Sequence, residues 1–423
     1  MATAISEVTS RRSSELAAPR SDRMRELDGL RGVAILLVVS LHYITNSKTT
    51  NPGFGLLYHF AQAFRLGWSG VDLFFVLSGF LIGGILLDAR QTSNYFRTFY
   101  LRRVHRILPI YYAWLALYTA VCLFMVWRPL NAVESSAGAV VFQALVHVLF
   151  LQNLVATGTA HPVIAHYWIS VAWSLAVEEQ FYLVAPLLVR YLSTKRLAYV
   201  LVGCIVGAPI LRAVLCRYLP GGSSVIYVWM PCRTDTLAAG MLAAVAWRSD
   251  ARFWLERHTA FLRSGLGVLV LGALAMLKWL PSAAGRSLWQ AAFQFSWLAA
   301  LYVCLMMLAL LEPNGGIAKV SRWRFLREWG RVSYCVYLIH LGILGLCHTV
   351  LLRSLPSITT WQGVLTTLLA LGLTWSLARF SWRFFEKPLL SRGHRYQYSK
   401  LKLPHVESRQ QTSNAAIISE CQI

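Results

Sequence analysis

The sequence predicts an all-α membrane protein, a polytopic transmembrane helix bundle of about ten spans with both termini in the cytoplasm. Of its 423 residues, 57% are apolar and only 14% are charged, whereas about a quarter of the residues in a soluble domain are charged. The apolar residues lie in blocks of roughly 17–25, the length at which a helix crosses a bilayer. The basic residues gather in a few connectors between blocks, as they do in cytoplasmic loops.

The number of spans follows from eleven apolar blocks and six basic segments. The blocks lie near 30–46, 67–87, 107–127, 139–155, 168–189, 197–216, 229–247, 264–280, 290–311, 333–352 and 360–384. Thirty of the 40 lysines and arginines fall in 1–31, 88–106, 190–196, 248–263, 314–331 and the tail from 383. If all six segments face the cytoplasm, an even number of spans separates each consecutive pair. Only the interval 107–189 contains an odd number of blocks.

Block 139–155 is therefore the segment that we expect not to cross the membrane. It is short and carries several polar side chains, so we predict a re-entrant segment or one buried between other helices. Ten spans remain. An eleven-span alternative would put at least one basic connector on the opposite side of the membrane.

The chain divides into a polar cytoplasmic tail (1–26), a transmembrane domain (27–390) and a basic cytoplasmic tail (391–423) that we expect to be partly disordered. The first tail lacks the apolar region of a cleaved signal peptide. The net charge of +22 would suggest nucleic-acid binding in a soluble protein, but the positive-inside rule accounts for it here. The eight cysteines form no CxxC or Cys/His cluster, so neither a metal site nor a permanently bound cofactor is predicted.

Polar residues inside the apolar blocks carry the functional information, because they are costly in a bilayer. In LDGLRGVAILLVVSLHY (27–43), Arg31 and His42 are eleven residues apart. That spacing predicts one helix face and a separation of about 16 Å along the axis, with Asp28 near the same stripe. A neutral His42 within the membrane could act as a general base toward a hydroxyl; it could equally hydrogen-bond a neighbouring helix.

The next two blocks carry further candidates. Asp72 and Ser78 lie among glycines in the second block, and small residues there are also explained by close helix packing. Arg103 and Arg106 lie one helical turn apart before the third span. Their guanidinium groups could hold a phosphate in a fork, although an ordinary positive-inside anchor has the same composition.

Glu178 and Glu179 are the strongest anomaly, since they are adjacent carboxylates inside the apolar run YWISVAWSLAVEEQFYLVAPLLV. Adjacent residues on a helix point about 100° apart, so the two cannot share one packing role. At least one should face a cavity, a cation or a proton-transfer partner.

The C-terminal half contains three further polar motifs. Arg233 and Asp235 could form an internal ion pair with a structural role. Ser333, Tyr337 and His340 occur in SYCVYLIHLGI, and Ser333 and His340 fall on about the same helix face. The sequence Glu386-Lys387-Pro388 predicts a helix stop at the cytoplasmic surface.

Taken in order, seven motifs resemble acyltransferase family 3, a family of integral-membrane proteins many of which acylate sugars. They are LDGLRG with His42, GVDLFFVLSGFLI, FYLRRVHRILP, WSLAVEEQFY, RTDTLAAG, SYCVYLIH and FEKP. The resemblance covers about residues 25–390 and implies a ten-helix domain that moves an acyl group from acyl-CoA to a hydroxyl.

The resemblance assigns roles to particular residues. It implies that Arg31 and His42 are essential, and it matches Arg103 and Arg106 to a basic pair of the family. Glu178 and Glu179 correspond to its acidic motif.

Together with the spacing arguments, this gives a hypothesis in which the arginines hold the phosphates of CoA. His42 then deprotonates the acceptor or carries the acyl group, and a glutamate orients it. Acyl-CoA, most simply acetyl-CoA, would be a co-substrate.

The expected acceptor is a carbohydrate or glycoconjugate such as O-antigen or exopolysaccharide, bound by the transmembrane domain and its loops in a bacterial cytoplasmic (inner) membrane. The main alternative is a proton-coupled transporter that uses the intramembrane Glu and His residues. It would leave the paired arginines at the cytoplasmic mouth without an obvious role. A non-catalytic receptor or scaffold would leave the intramembrane carboxylates unexplained.

Overall fold

The fold is a helical bundle, as the apolar blocks predict. The computed structural model describes residues 24–45, 64–127, 136–155, 168–219, 222–279 and 288–399. The structure is 88% helical, with no strands among the described residues. Residues 1–23 of the predicted N-terminal tail and the tail beyond 399 lie outside the described residues.

Sixteen α-helices lie within the described residues and are numbered in chain order. The first eight are α1 Arg25–Ser40, α2 Gly70–Ala89, α3 Tyr95–Trp127, α4 Ala137–Val148, α5 Gln152–Val155, α6 Trp173–Tyr191, α7 Thr194–Tyr218 and α8 Gly222–Val228. The others are α9 Thr234–Trp247, α10 Ala251–Arg257, α11 Thr259–Trp279, α12 Leu288–Leu311, α13 Gly316–Ser321, α14 Arg324–Leu352, α15 Trp361–Ser381 and α16 Lys387–His394. Short 3₁₀ turns span Arg65–Ser69, Ser170–Ala172 and Met230–Arg233, and π turns span Leu41–Thr45 and Trp382–Glu386.

Eight helical segments of the described chain are long and apolar enough to cross a membrane. They are Arg25–Thr45, Arg65–Ala89, Tyr95–Trp127, Thr194–Tyr218, Thr259–Met276, Leu288–Leu311, Arg324–Leu352 and Trp361–His394. Two further predicted spans fall short for identifiable reasons: α6 carries two glutamates and an arginine, and α9 has only 14 residues. The count of ten and the cytoplasmic position of both termini stay predictions.

Block 139–155 forms a 12-residue helix, α4, followed by the single turn α5. At 1.5 Å per residue, α4 is about 18 Å long, well short of a bilayer core of about 30 Å. The break falls at Phe150, whose φ of 54° is left-handed. The buried Gln143, His147, Gln152 and Asn153 of this block turn inward, whereas Phe142, Leu145 and Leu149 are exposed, so the block packs on the bundle through one face. Whether it is re-entrant stays a prediction.

The C-terminal end of the last span differs from the prediction. Glu386-Lys387-Pro388 does not stop the helix, because the π turn Trp382–Glu386 precedes α16 and Pro388 lies in the first turn of α16, where proline is tolerated. The helix continues to His394 and packs against α3. The predicted start of the cytoplasmic tail at 391 therefore falls inside an ordered helix.

Glycines allow two pairs of helices to touch backbone to backbone. Helix α1 packs on α14, where a Cβ atom on Gly32 would lie 2.0 Å from the carbonyl oxygen of Leu326 and one on Gly330 would lie 1.8 Å from that of Asp28. Helix α2 packs on α9 in the same way through Gly79 and Gly240. A side chain at these positions would force the helices apart, so their spacing depends on glycine.

We expect Gly32→Ala to destabilise the protein by several kcal/mol, because backbone of α14 fills the space that the added methyl group needs (overpacking costs about 1–3 kcal/mol even where side chains can yield). The measurement is the thermal midpoint of the detergent-solubilised protein. Gly207→Ala is the matched control, since nothing lies within 4 Å of the Cβ position at Gly207 on α7. Equal midpoints for the two variants would contradict a backbone contact at Gly32.

Candidate active site

A cavity of about 160 Å³ lies between five helices, α1, α2, α3, α6 and α14. Its wall combines apolar side chains of α2 with polar groups of the other four helices. The polar and charged lining residues are Arg31, Ser78, Arg103, Arg106, Ser174, Glu178, Glu179, Tyr182, Ser333, Tyr334 and Tyr337. Most of the residues that the sequence singles out therefore meet here.

Charged groups of both signs share this cavity. Arg31 of α1 and the pair Arg103 and Arg106 of α3 line it together with Glu178 and Glu179 of α6. The predicted convergence of the three arginines is thus what the structure shows. Such a wall can bind a ligand with an anionic end, because guanidinium groups pair with phosphate oxygens.

Glu178 is held by a chain of hydroxyl groups. The Tyr182 hydroxyl donates to Glu178 Oε2 at 3.2 Å and lies 2.7 Å from Ser78 Oγ. Ser78, which the sequence marks only as a polar residue among glycines, thereby fixes the tyrosine that orients the carboxylate. Tyr182 follows Glu178 by one helical turn, and this i, i+4 spacing is the signal in the sequence that could have identified it.

A second set of hydrogen bonds fixes α14 to the other walls. The Tyr337 hydroxyl lies 2.6 Å from Ser174 Oγ and donates to the Val171 carbonyl oxygen at 3.1 Å. The Tyr334 hydroxyl donates to the Ile107 carbonyl oxygen of α3 at 2.7 Å. Neither Ser174 nor Tyr334 stands out in the sequence as a functional candidate, because serine and tyrosine are common in helices that pack against other helices.

His42 and His340 form a pair of imidazoles just beyond this cavity along α14, three residues after Tyr337. His340 Nε2 lies 3.1 Å from His42 Nδ1, and the ring centroids are 5.0 Å apart. Tyr43 braces the pair, since its hydroxyl donates to the His340 carbonyl oxygen at 2.9 Å and also contacts Thr374. His340 is fully buried.

The hydrogen-bond partners assign the tautomer of both rings. His340 Nδ1 lies 2.8 Å from the Tyr337 carbonyl oxygen and 3.1 Å from that of Val336, and a carbonyl oxygen only accepts, so Nδ1 carries the proton. His340 Nε2 is then an acceptor. His42 Nδ1 faces this nitrogen and, at 2.9 Å, the Val38 carbonyl oxygen. It therefore carries the proton too, which leaves the lone pair of His42 on Nε2.

The structure adds two details to the surroundings of His42. Its ring contacts that of His340, and Glu178 and Glu179 line the cavity with the arginines. The glutamate that the hypothesis gave as the orienting group stays a prediction. The helix also switches to a π turn at Leu41. Only Leu41 and His42 of the interval between Arg31 and His42 lie in this wider turn, so the shared helix face of Arg31 and His42 stays a prediction.

Buried ion pairs replace the predicted Arg233–Asp235 contact. Arg233 pairs with Asp72 of α2 at 2.6 Å, and Asp235 pairs with Arg212 of α7 at 2.8 Å. Residues two apart do not face each other at the start of a helix, so each finds a partner on a different helix. Asp28, the remaining predicted residue, is buried on α1 one turn before Arg31.

The two ion pairs also connect the bundle to the cavity. The Arg233 guanidinium lies over the Phe295 ring, 3.8 Å from its centroid, and 5.5 Å from the centroid of Phe75, which lines the cavity. Asp72, Arg233 and Asp235 therefore have structural roles in positioning α2 and α9.

Comparison with known proteins agrees with the geometry. The family model described as "Acyltransferase domain" matches residues 24–379. The chain belongs to acyltransferase family 3. The matched region contains every charged residue of the cavity and both histidines of the pair. No solved structure matches the chain.

Named relatives of this family member are O-acetyltransferases of bacteria. A putative peptidoglycan O-acetyltransferase of Bacillus subtilis is 29% identical over 387 residues, which are 87% of this chain and 55% of the relative. The peptidoglycan O-acetyltransferase of Listeria monocytogenes is 27% identical over 379 residues, 87% of this chain and 56% of the relative. A putative O-acetyltransferase of Staphylococcus aureus is 24% identical, with 88% and 58% covered. The chain spans little more than half the length of these relatives.

The ion-pair assignment predicts a selective rescue. Asp72→Ala should lower stability by about 3–5 kcal/mol, because it leaves a buried guanidinium without its counterion. Adding Arg233→Met to this variant should restore part of the lost stability, since it removes the buried guanidinium charge. The measurement is the thermal midpoint of the solubilised protein.

The control is the same Arg233→Met substitution made in an Asp235→Ala variant. There the charge left behind is on Arg212, so Arg233→Met should bring no recovery. Equal rescue of both aspartate variants would contradict the pairing.

Proposed function

We propose that this family member is a membrane O-acyltransferase that moves an acyl group, most simply acetyl, from acyl-CoA to a hydroxyl of a carbohydrate. The observation that carries the proposal is the arrangement along α14. Three arginines gather in a cavity on one side, and one turn farther the half-buried His42, paired with the buried His340, presents a basic nitrogen. The arginine-lined cavity suits an anionic donor, and the histidine pair suits proton transfer from a hydroxyl.

We propose that the acyl donor is bound by Arg31, Arg103 and Arg106. Their guanidinium groups are suited to the phosphates of CoA, because paired N–H donors match phosphate oxygens. The rest of the cavity wall is largely apolar, including Phe74, Leu81 and Ile82 of α2. The pantetheine arm would extend along this wall past Tyr337 and bring its thioester toward the histidine pair.

Transfer would begin at His42. Its Nε2 takes the proton of the acceptor hydroxyl, and the oxygen attacks the thioester carbonyl carbon as the new C–O bond forms. The C–S bond then breaks, and the CoA thiolate leaves with the proton that His42 returns. His340 would hold the His42 ring in the tautomer that keeps Nε2 basic, the role that a carboxylate has in other catalytic histidine systems.

The acceptor that we propose is a hydroxyl of a cell-surface carbohydrate. The two named relatives with the highest identity given above are called peptidoglycan O-acetyltransferases, which favours peptidoglycan over the O-antigen or exopolysaccharide predicted from the sequence. The integral-membrane bundle would let the donor and the acceptor approach from opposite faces. The bacterial cytoplasmic membrane is the expected location.

His42→Ala should reduce acyl transfer by about 100- to 10,000-fold, the usual contribution of a general acid–base group. The measurement is transfer of radiolabel from acetyl-CoA to the carbohydrate fraction of membranes that contain the full chain. His348→Ala is the control, because it removes another histidine of the bundle, one that is fully buried on α14 and pairs with Thr367. Wild-type activity in the His42 variant would refute the mechanism, and absence of label transfer by the wild type would refute the proposed function.

His340 should act through the position of His42, so its substitution should lower kcat and leave the KM for acetyl-CoA unchanged. His340→Leu removes the acceptor nitrogen and should lower kcat by roughly tenfold or more, since one hydrogen bond contributes about 0.5–1.5 kcal/mol and mispositioning adds to that. His340→Gln keeps an acceptor oxygen and should recover part of the rate. Equal rates for these two variants, or a change confined to KM, would contradict a positioning role.

A further inference from the structure

A second cavity of about 160 Å³ opens beside the first, between the start of α3 and the C-terminal helix α16. Its wall shares Ile85, Arg103 and Arg106 with the first cavity. The other lining residues are Phe99, Arg102, Leu390, Gly393, His394 and Tyr398. The two cavities are therefore neighbours that meet at the paired arginines.

The second cavity is strongly basic. Arg102, Arg103 and Arg106 line it with His394, and none of its nine described lining residues is acidic. Two buried polar atoms on this wall, Arg103 Nε and the Tyr398 hydroxyl oxygen, have no hydrogen-bond partner among the described residues. Unpaired buried donors are costly, so the arrangement suits an anion that accepts several hydrogen bonds.

The segment after α16 is fixed against the start of α3 and the preceding Asn94 by hydrogen bonds between side chains and backbone groups. Arg102 Nε donates to the Tyr396 carbonyl oxygen at 2.8 Å, and Asn94 Nδ2 donates to that of Gln397 at 2.8 Å. The Ser399 backbone N–H donates to Asn94 Oδ1 at 3.0 Å. These contacts place Tyr398 on the cavity wall, where its ring also lies 5.0 Å from the Arg102 guanidinium carbon.

The part of this wall that α16 and the segment after it form lies outside the family domain, whose match ends at residue 379. We propose that residues 387–399 complete a phosphate-binding site in which Tyr398 and His394, with Arg102 and Arg103, donate hydrogen bonds to the nucleotide phosphates of the acyl donor. The inference rests on the proposed function and deepens it. The paired arginines stand between the two cavities, so a single donor places its phosphates in the second cavity and its thioester arm in the first.

A phospholipid head group offers similar phosphate chemistry, but two features favour the nucleotide. The second cavity continues into the first, whose apolar and hydroxyl-rich wall suits an extended amide-containing arm. CoA also carries several phosphate charges, which match three arginines better than the single phosphate of a lipid does.

Tyr398→Phe tests the site, because it removes only the hydroxyl group. The full-length protein in nanodiscs of neutral phosphatidylcholine is titrated with CoA and, separately, with S-acetylpantetheine, which lacks the nucleotide phosphates. We expect the Kd for CoA to rise by about tenfold or more, the effect of one hydrogen bond to a charged group, with no change for S-acetylpantetheine. Tyr396→Phe is the matched control, since the Tyr396 side chain is exposed and does not line the cavity; both Kd values should stay unchanged.

Three results would overturn the inference. The first is an unchanged Kd for CoA in Tyr398→Phe, and the second is an equal loss for both ligands, which would indicate a general structural effect. The third is native mass spectrometry in which Tyr398→Phe loses bound phosphatidylglycerol while its CoA affinity is unchanged, which would identify a lipid as the occupant. If the wild type binds no CoA, both this site and the proposed donor are wrong. If the wild type and Tyr398→Phe bind CoA equally well, this site is wrong, but the proposed donor is not contradicted.

Discussion

The contact between α1 and α14 is the constraint on which the rest of the site depends. Glycines on both helices let backbone carbonyl groups approach to distances that exclude even a methyl group. This close contact brings together a helix that carries Arg31 and His42 and a helix that carries Tyr337 and His340. A wider spacing would separate the two imidazoles and lengthen their 3.1 Å contact.

The buried charged residues of the bundle fall into two groups. Arg212, Arg233 and their aspartates pair one to one and lie among packed side chains, where their function is to align helices. The arginines of α1 and α3 instead share a cavity with two glutamates. Since an unpaired charge in a packed interior is costly, a cavity that accommodates several charges is where a charged ligand can be bound. Composition alone does not separate these two groups of arginines.

The two cavities also suggest how one protein can bind a large donor. The donor that we propose is long, with phosphates at one end and a reactive thioester at the other. The helix bundle offers two adjoining cavities between helices, and α16 with its following segment forms part of the wall at the basic end. Residues beyond the family domain would then contribute to donor affinity, whereas chemistry would remain within the domain.

The sequence by itself determined the helical class, the positions of most apolar helices and most of the polar residues that meet at the site, though not Ser174, Tyr182 or Tyr334. These follow from short-range rules: apolar length sets a span, and a polar residue inside a span needs a partner or a cavity. Tertiary structure decided the partners. Arg233 contacts Asp72 and not Asp235, and His42 meets His340 of a distant helix, because contacts between distant helices depend on crossing distance and rotation. The π turn at Leu41 and the ordered α16 were likewise decided by packing, since local spacing rules assume an uninterrupted α-helix and stop it at a proline.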